Sequence, residues 1–276
     1  MNICQPEKLL HWMMNLVLLL APLTMLATIE SICTITDVSF VEWEENQGLA
    51  VFDIDDTLTI LNEPAFHRPN FKLHHAENFA RIMEPLSTEE RLLAFTLPLL
   101  TTAGDLLEIQ TPQVIRNLQS KGVKTIALTA AMGGRIRDAF IEDRRISELN
   151  RVGIDFAPSF PDVQGTIFFT NFQAPIFGSY PLFKSGILFT NENDKGDVLV
   201  EFLKALSWTP RQIIFVDDRI DHLYAVEKAL SLFNPEIQFK GFHFLTDPAC
   251  YQAIDAENFR EKWIEHAELA KQILVQ

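Results

Sequence analysis

Four short apolar runs recur along this chain, each cut off by polar or acidic residues: Leu49–Phe52, Val123–Leu128, Ile213–Val216 and Phe239–Phe244. Runs of that length bounded by turn residues read as strands buried on both faces, the signature of a parallel sheet. Between them the period changes to three and four. It predicts helices over Phe71–Met83, Thr88–Leu100, Thr111 to about Ser120 and Phe140–Asn150. Ser87-Thr88-Glu89-Glu90 is a start signal for the second, and Lys121-Gly122 a stop signal for the third. Further on, Val198, Leu199, Phe202, Leu203 and Leu206 form one helical face. Leu223, Val226, Leu230 and Phe233 form another, and Phe259, Trp263, Ala267, Ala270 and Leu274 a last one. Strands alternating with helices of this kind predict an α/β fold built on a parallel sheet.

Two regions break the alternation. About 50 residues separate the first strand from the helix at Thr111, too many for one ordinary connection. Asn62, Pro64, Pro69 and Asn70 mark a loop there, so the two helices that follow read as an insert over about 60–110. Gly165–Phe169 and Gly186–Phe189 are short apolar runs around a stretch rich in Pro, Tyr and Phe, and read as a hairpin or a second small insert. Ser39–Asn46 reads as a short helix or an edge segment.

The N-terminus has its own pattern. Lys8 precedes an apolar core, Leu16–Ala27, of signal-peptide length, and Pro22 disfavours a spanning helix. Residues 1–31 are therefore expected to be a signal peptide, and residues 32–276 an exported folded part, periplasmic or secreted. The alternative is an uncleaved anchor over Trp12–Ile29, which would be the sole attachment to a membrane.

Composition narrows the partners. The net charge is −14, from 37 acidic and 23 basic residues among 276, which argues against nucleic acid as a partner. A hydrophobic fraction of 47% is ordinary for a globular chain. Of the three cysteines, Cys4 would leave with the signal. Cys33 and Cys250 would stay, as a disulfide or as two free thiols. No Cys/His cluster has zinc spacing.

The chemistry lies where the apolar runs stop. Parallel sheets carry their sites just beyond the carboxyl ends of the strands. Leu49–Phe52 stops at Asp53, Asp55 and Asp56, followed by Thr57 and Leu58. Asp53 and Asp55 are two residues apart, so an extended backbone points them to one side. Carboxylates that close repel unless a cation sits between them. Magnesium binds through one or two carboxylates plus substrate phosphate, and Asp can itself accept a phosphoryl group. Val123–Leu128 closes on Thr129, with Arg135 shortly after as a weaker anion-binding candidate. Ile213–Val216 closes on Asp217 and Asp218, with Asp221 nearby. Lys195 opens a helix, against the dipole preference, and so calls for something anionic beside it. Lys184 is its rival, further upstream.

Leu49–Thr59, LAVFDIDDTLT, resembles the first motif of the haloacid dehalogenase-like (HAD) hydrolases, an apolar strand followed by DxDx(T/V)(L/V). The match falls at Asp53, Asp55, Thr57 and Leu58, and Thr129, Lys195 and Asp217/Asp218 follow in the family's order. FDIDDT followed by NEPAFHR, Asn62–Arg68, is similar to the secreted acid phosphatases of that superfamily. The later segments look most like exported HAD-like proteins of uncharacterised function from intracellular bacteria. The resemblance covers residues 49 to about 245. It implies a Rossmannoid three-layer sandwich with a small helical cap, the insert at about 60–110. It also implies a magnesium-dependent phosphatase working through an aspartyl-phosphate, on a phosphorylated small molecule or a phosphoprotein. In that scheme Asp53 is the nucleophile and a Mg²⁺ ligand. Asp55 is the acid/base and lends its carbonyl to the metal. Thr129 and Lys195 hold the phosphate. Asp218 binds the metal directly, Asp217 more remotely, and Asp221 helps. The rivals are a binding module that has lost turnover and a phosphotransferase with a different acceptor.

Overall fold

A computed structural model of the protein describes residues 28–44, 46–174 and 179–275. The strands of the described chain are β1 (Thr28–Ile32), β2 (Gly48–Phe52), β3 (Thr59–Leu61), β4 (Gly104–Leu106), β5 (Lys124–Thr129), β6 (Arg135–Ile136), β7 (Ala139–Phe140), β8 (Thr166–Phe168), β9 (Leu182–Lys184), β10 (Ile187–Phe189), β11 (Gln212–Asp217) and β12 (Gln238–Phe244). The α-helices are α1 (Ala76–Met83), α2 (Thr88–Thr101), α3 (Thr111–Ser120), α4 (Ile141–Arg151), α5 (Lys195–Ala205), α6 (Ile220–Phe233) and α7 (Ala256–Val275).

Eight strands form one central sheet in the order β1-β12-β11-β2-β5-β10-β9-β8. Pairing is parallel from β1 to β10 and antiparallel at β10–β9 and β9–β8. The fold is a mostly parallel α/β sandwich of Rossmann type. The period of two along each central strand makes the three layers. Ala50, Phe52, Ala127, Ile214 and Val216 face one hydrophobic cluster, with α3 and Phe156. Leu49, Val51, Ile126, Leu128, Ile213 and Phe215 face the other, with α5 and α6. Burial on both faces is why these strands read as unbroken apolar runs.

The runs around residues 165–189 belong to this sheet rather than to a second insert. Leu182–Lys184 turns back on Ile187–Phe189, and the sheet continues outward through Thr166–Phe168. The N-terminal edge also extends further than expected. Thr28–Ile32 pairs in parallel with Lys240–Phe244, so the folded part begins before residue 32. The apolar core read as an export signal lies outside the described residues. Among the described residues, no helix is long and apolar enough to cross a membrane.

The insert hangs from a two-stranded ribbon in which β3 runs antiparallel to β4. Its first helix is in two parts, a π-helical turn over Asn70–His74 and then α1. Both ring nitrogens of His67 are engaged, by Leu61 O and Gln252 N, and Asn70 donates to Pro64 O and Gln252 O, which fixes the entry. α2 starts with Ser87 and Glu90 capping each other's backbone. The insert builds a third hydrophobic cluster around Phe66, Met83, Leu93 and Leu97. The last helix joins it through Phe259, Trp263, Ala267 and Ala270. α7 thus belongs to the insert's layer, not to the sheet's.

Candidate active site

β2 and β11 are neighbours with Phe52 paired to Val216. The next residues, Asp53 and Asp217, therefore leave the sheet side by side. The Asp53 amide donates to Val216 O at 2.8 Å, which holds the two strand ends together. Asp218 follows, its amide donating to Thr57 Oγ1 at 3.1 Å. Asp53, Asp217 and Asp218 each offer a carboxylate oxygen within 4.8 Å of the others. Asp217 is fully buried and Asp53 nearly so.

Lys195 closes this group. Its Nζ donates to Asp53 Oδ1 at 2.5 Å and to Asp217 Oδ2 at 2.7 Å. Asp194 caps α5 by accepting from the amides of Gly196 and Asp197, which sets the first turn. Gly196 lets that turn press on α6, because a Cβ there would sit 2.5 Å from Ala225 O. The rival, Lys184, pairs instead with Asp143 on an exposed surface.

Burial sets the charge balance. It pushes Asp53 well above the ordinary carboxylate range; Lys195 pulls against it, and Asp217, Asp218 and Asp55 add to the rise. Burial also lifts Asp218, against the pull of Arg68. Asp217 goes down: burial would raise it, but Lys195 and the His222 hydrogen bond outweigh that. His222 Nδ1 lies 3.0 Å from Asp217 Oδ2, and the Arg219 amide donates to Asp217 Oδ1 at 2.8 Å.

The cluster fits a hard divalent cation. All its donors are carboxylate oxygens, the type magnesium takes, and burial holds two of the acids above their normal range despite Lys195 and Arg68. Asp218 Oδ1 is buried with no hydrogen-bond partner. Asp217, by contrast, has Lys195, His222 and Arg219 on its oxygens. Asp218 is thus the acid with a free site for an ion, and Asp217 the one already satisfied.

A cavity of about 660 Å³ opens over these residues, lined by Asp53, Asp55, Thr129, Asp218, Arg219 and His222 on the sheet side and by Arg68, Phe71 and Phe95 from the insert. Thr129 ends β5, the neighbour of β2 on the side away from β11, and its Oγ1 accepts from the Ala131 amide at 3.0 Å, leaving the hydroxyl proton to donate. Asp55 lines the cavity but stands apart from the three acids, its Oδ1 held by Arg145 at 2.6 Å. Asp221 pairs with Arg219 on the surface and does not join the acids. Arg135 is likewise exposed and pairs with Asp138. Cys33 and Cys250 are both free thiols.

Several residues of the site had no role in the sequence reading. Arg68, from the insert, pairs with both Asp218 and Asp56. Its only signal was its place in Asn62–Arg68. Arg145 and Glu148, three apart on α4, form a buried pair at 2.7 Å; that spacing is a general helix-pair signal and names no site. His222 follows Asp217 by five residues, a spacing with no motif attached. Glu192, also in the cavity, is pushed up by burial and precedes Lys195 in a turn where Asn191 and Glu192 both have positive φ.

A family model described as "Protein of unknown function (DUF2608)" matches residues 31–271. Uncharacterised proteins of Rickettsia felis and Rickettsia bellii are 26% and 24% identical over 145 residues, which is 51% of this chain and 48% of theirs. One of Rickettsia conorii is 32% identical over 91 residues, 33% of this chain and 30% of its own. The chain spans about half or less of the length of the relatives it matches.

Proposed function

We propose that this chain, which belongs to the DUF2608 family, is a magnesium-dependent HAD-type phosphatase that hydrolyses phosphomonoesters through an aspartyl-phosphate. The observation that carries the proposal is the meeting of Asp53, Asp217 and Asp218 with Lys195 at the carboxyl ends of two adjacent parallel strands. Asp53 and Asp218 would hold the ion, with the Asp55 carbonyl. Bound magnesium would supply positive charge to substrate phosphate and nucleophile.

Asp53 attacks phosphorus in line, and Lys195 and Thr129 hold the oxygens of the transferring group. Such donors, fixed before reaction in a buried site, are worth far more than in water. Asp55 gives a proton to the leaving oxygen and then takes one from the water that hydrolyses the acyl phosphate. Thr57 spans the loop, from Asp53 Oδ2 at 3.4 Å to the Asp218 amide, and orders it. Substrates are a phosphorylated small molecule or a phosphoprotein, met outside the cytoplasm after export. The insert's Arg68, Phe71 and Phe95 would meet the leaving group.

The test is release of phosphate from an aryl phosphate with and without Mg²⁺, for wild type and Asp53→Asn. Activity abolished by EDTA and absent in the variant is expected; full activity without metal would overturn the metal assignment. A HAD-fold binding module without turnover is favoured by one observation. Lys195 and Arg68 already pair all three clustered acids with cations of the chain itself. It would show neither hydrolysis nor a magnesium-dependent shift in stability.

A further inference from the structure

We propose that Arg145 is a positioning residue for Asp55, and that through Glu148 it ties Asp55 to the ribbon from which the helical insert hangs. The proposal rests on Asp55 being the proton-transfer group of the phosphatase. The Arg145 side chain is 1% exposed and gives one nitrogen to each of two carboxylates. Nη2 donates to Asp55 Oδ1 at 2.6 Å and Nη1 to Glu148 Oε2 at 2.7 Å. The planar guanidinium fixes the angle between those bonds, so placing Glu148 places the Asp55 carboxylate.

Glu148 is itself anchored. It is buried, and its Oε1 accepts from the Gly104 amide at 2.5 Å. Gly104 pairs with Leu61 in the ribbon, so it stands where the chain leaves the insert opposite where it enters. A Cβ at position 104 would lie 2.8 Å from Glu148 Oε1 and 3.2 Å from Ile60 O, which makes glycine the residue that permits this contact. Arg151, from the same helix, donates to Gly104 O. A line of polar contacts thus runs from the ribbon through Glu148 and Arg145 to Asp55.

Stability alone does not account for this arrangement. Apolar residues of similar volume commonly replace buried ion pairs without loss. Asp55 meanwhile keeps 39% of its side chain open to the cavity while one oxygen is held. An anchored but wet carboxylate suits proton exchange with a leaving group and with water. Its position then follows that of the insert, so the acid is aligned when the insert's ribbon is in place.

The experiment compares kcat/KM, which reports the leaving-group step and not the shared hydrolysis of the acyl phosphate, on an alkyl phosphate, whose leaving group needs a proton, and on an aryl phosphate, whose leaving group does not. Arg145→Met, Arg145→Lys and Gly104→Ala are each made alone and with Asp55→Asn, with Mg²⁺ present and folding checked by thermal unfolding. For Arg145→Met, kcat/KM on the alkyl phosphate should fall by roughly 10²-fold, the lower end for general acid–base help. On the aryl phosphate kcat/KM should fall far less. Arg145→Lys should fall between. Gly104→Ala should give a smaller loss with the same leaving-group dependence, and stands in if the methionine variant does not fold. In the Asp55→Asn background none of these changes should cost more. Equal losses on both substrates, or losses that add to that of Asp55→Asn, would overturn the proposal while leaving the phosphatase intact. If Asp55→Asn alone left alkyl phosphate turnover at the wild-type rate, Asp55 would have no such role, and the proposal would fall with its premise.

Discussion

Asp53 and Asp55 are two residues apart, yet each has its own cation: Lys195 for Asp53 and Arg145 for Asp55. Their variants should fail differently. Under the proposed mechanism Asp53→Asn removes the nucleophile, so acid-quench trapping with a labelled aryl phosphate should recover no label on the protein. Asp55→Asn keeps the nucleophile and loses the base of the second step, so labelled acyl phosphate should accumulate. Label on the first variant, or none on the second while wild type shows a burst, would reverse the two roles. Lys195 is predicted to be structural as well as functional. Replacing it with Met leaves Asp53 and Asp217 buried without their shared cation, and breaking a buried pair in this way costs about 3–5 kcal/mol. Thermal unfolding should show that loss, with part of it recovered by added Mg²⁺. An unchanged Tm would mean that the acids do not depend on Lys195 for charge. Asp53, Thr129, Lys195, Asp217 and Asp218 were legible in the sequence because each sits where an apolar strand ends or a helix begins, so its type and place mark it together. Arg68 and Arg145 were not. They reach the site from elements whose approach is set by how the insert and α4 pack, and no local pattern encodes that.

Among the elements, the central strands were visible because burial on both faces keeps them apolar, and helices α3 and α5 because their apolar positions keep a helical period. The short strand Leu182–Lys184 was missed, since three residues carry no period. The edge strand Thr28–Ile32 was missed because it follows directly on a longer apolar run that drew it into the signal. Its pairing with Lys240–Phe244 and the burial of Ile32 predict that a chain beginning at Thr28 folds. One beginning at Cys33 should lose about 2–4 kcal/mol, from an apolar side chain and several ladder hydrogen bonds. It should also expose β12 as a sticky edge. Urea unfolding of the two truncations tests this, and equal midpoints would make β1 dispensable. N-terminal sequencing of protein expressed from Met1 should likewise find a start at or before Thr28, and a start at Cys33 would contradict it. At the other end of the sheet's chemistry, Gly196→Ala would drive a methyl into Ala225 O and lift α5 from α6. Overpacking of that kind costs about 1–3 kcal/mol. Because Lys195 is the neighbouring residue, activity should fall more than stability alone would explain.

Across the whole molecule, two clusters flank the sheet, and a third is shared by the insert and α7 over the site. Asp53, Asp217 and Asp218 are thereby largely buried beneath the cavity, and that burial couples metal, proton and stability. Burial lifts Asp53, Asp56 and Asp218 above the usual carboxylate range, Asp56 to about 7 against the pull of Arg68. Asp53 and Asp218 are the candidate ligands, and Asp56 shares Arg68 with Asp218. The folded protein therefore keeps protons that the unfolded chain releases. Through Asp56, stability falls as pH rises from the unfolded value of 3.8 to about 7, and Asp53 and Asp218, also raised, act in the same direction. Asp217 runs the other way: Lys195 and His222 outweigh burial and lower it, so its contribution is lost only as pH falls below about 4. A divalent ion on Asp53 and Asp218 needs both ionised, so binding releases protons and grows stronger as pH rises above the ordinary carboxylate range. Metal-free protein should therefore melt lower at pH 7.5 than at pH 5. Saturating Mg²⁺ should raise Tm more at pH 7.5, by about 2–4 °C for each kcal/mol of binding in a chain of this size. Scanning calorimetry at the two pH values, with EDTA or with Mg²⁺, checks both parts. An equal magnesium shift at each pH would show that the acids are ionised before the metal arrives. No shift at either would leave Lys195 and Arg68 as the only cations the site takes, which is the state a binding module would have.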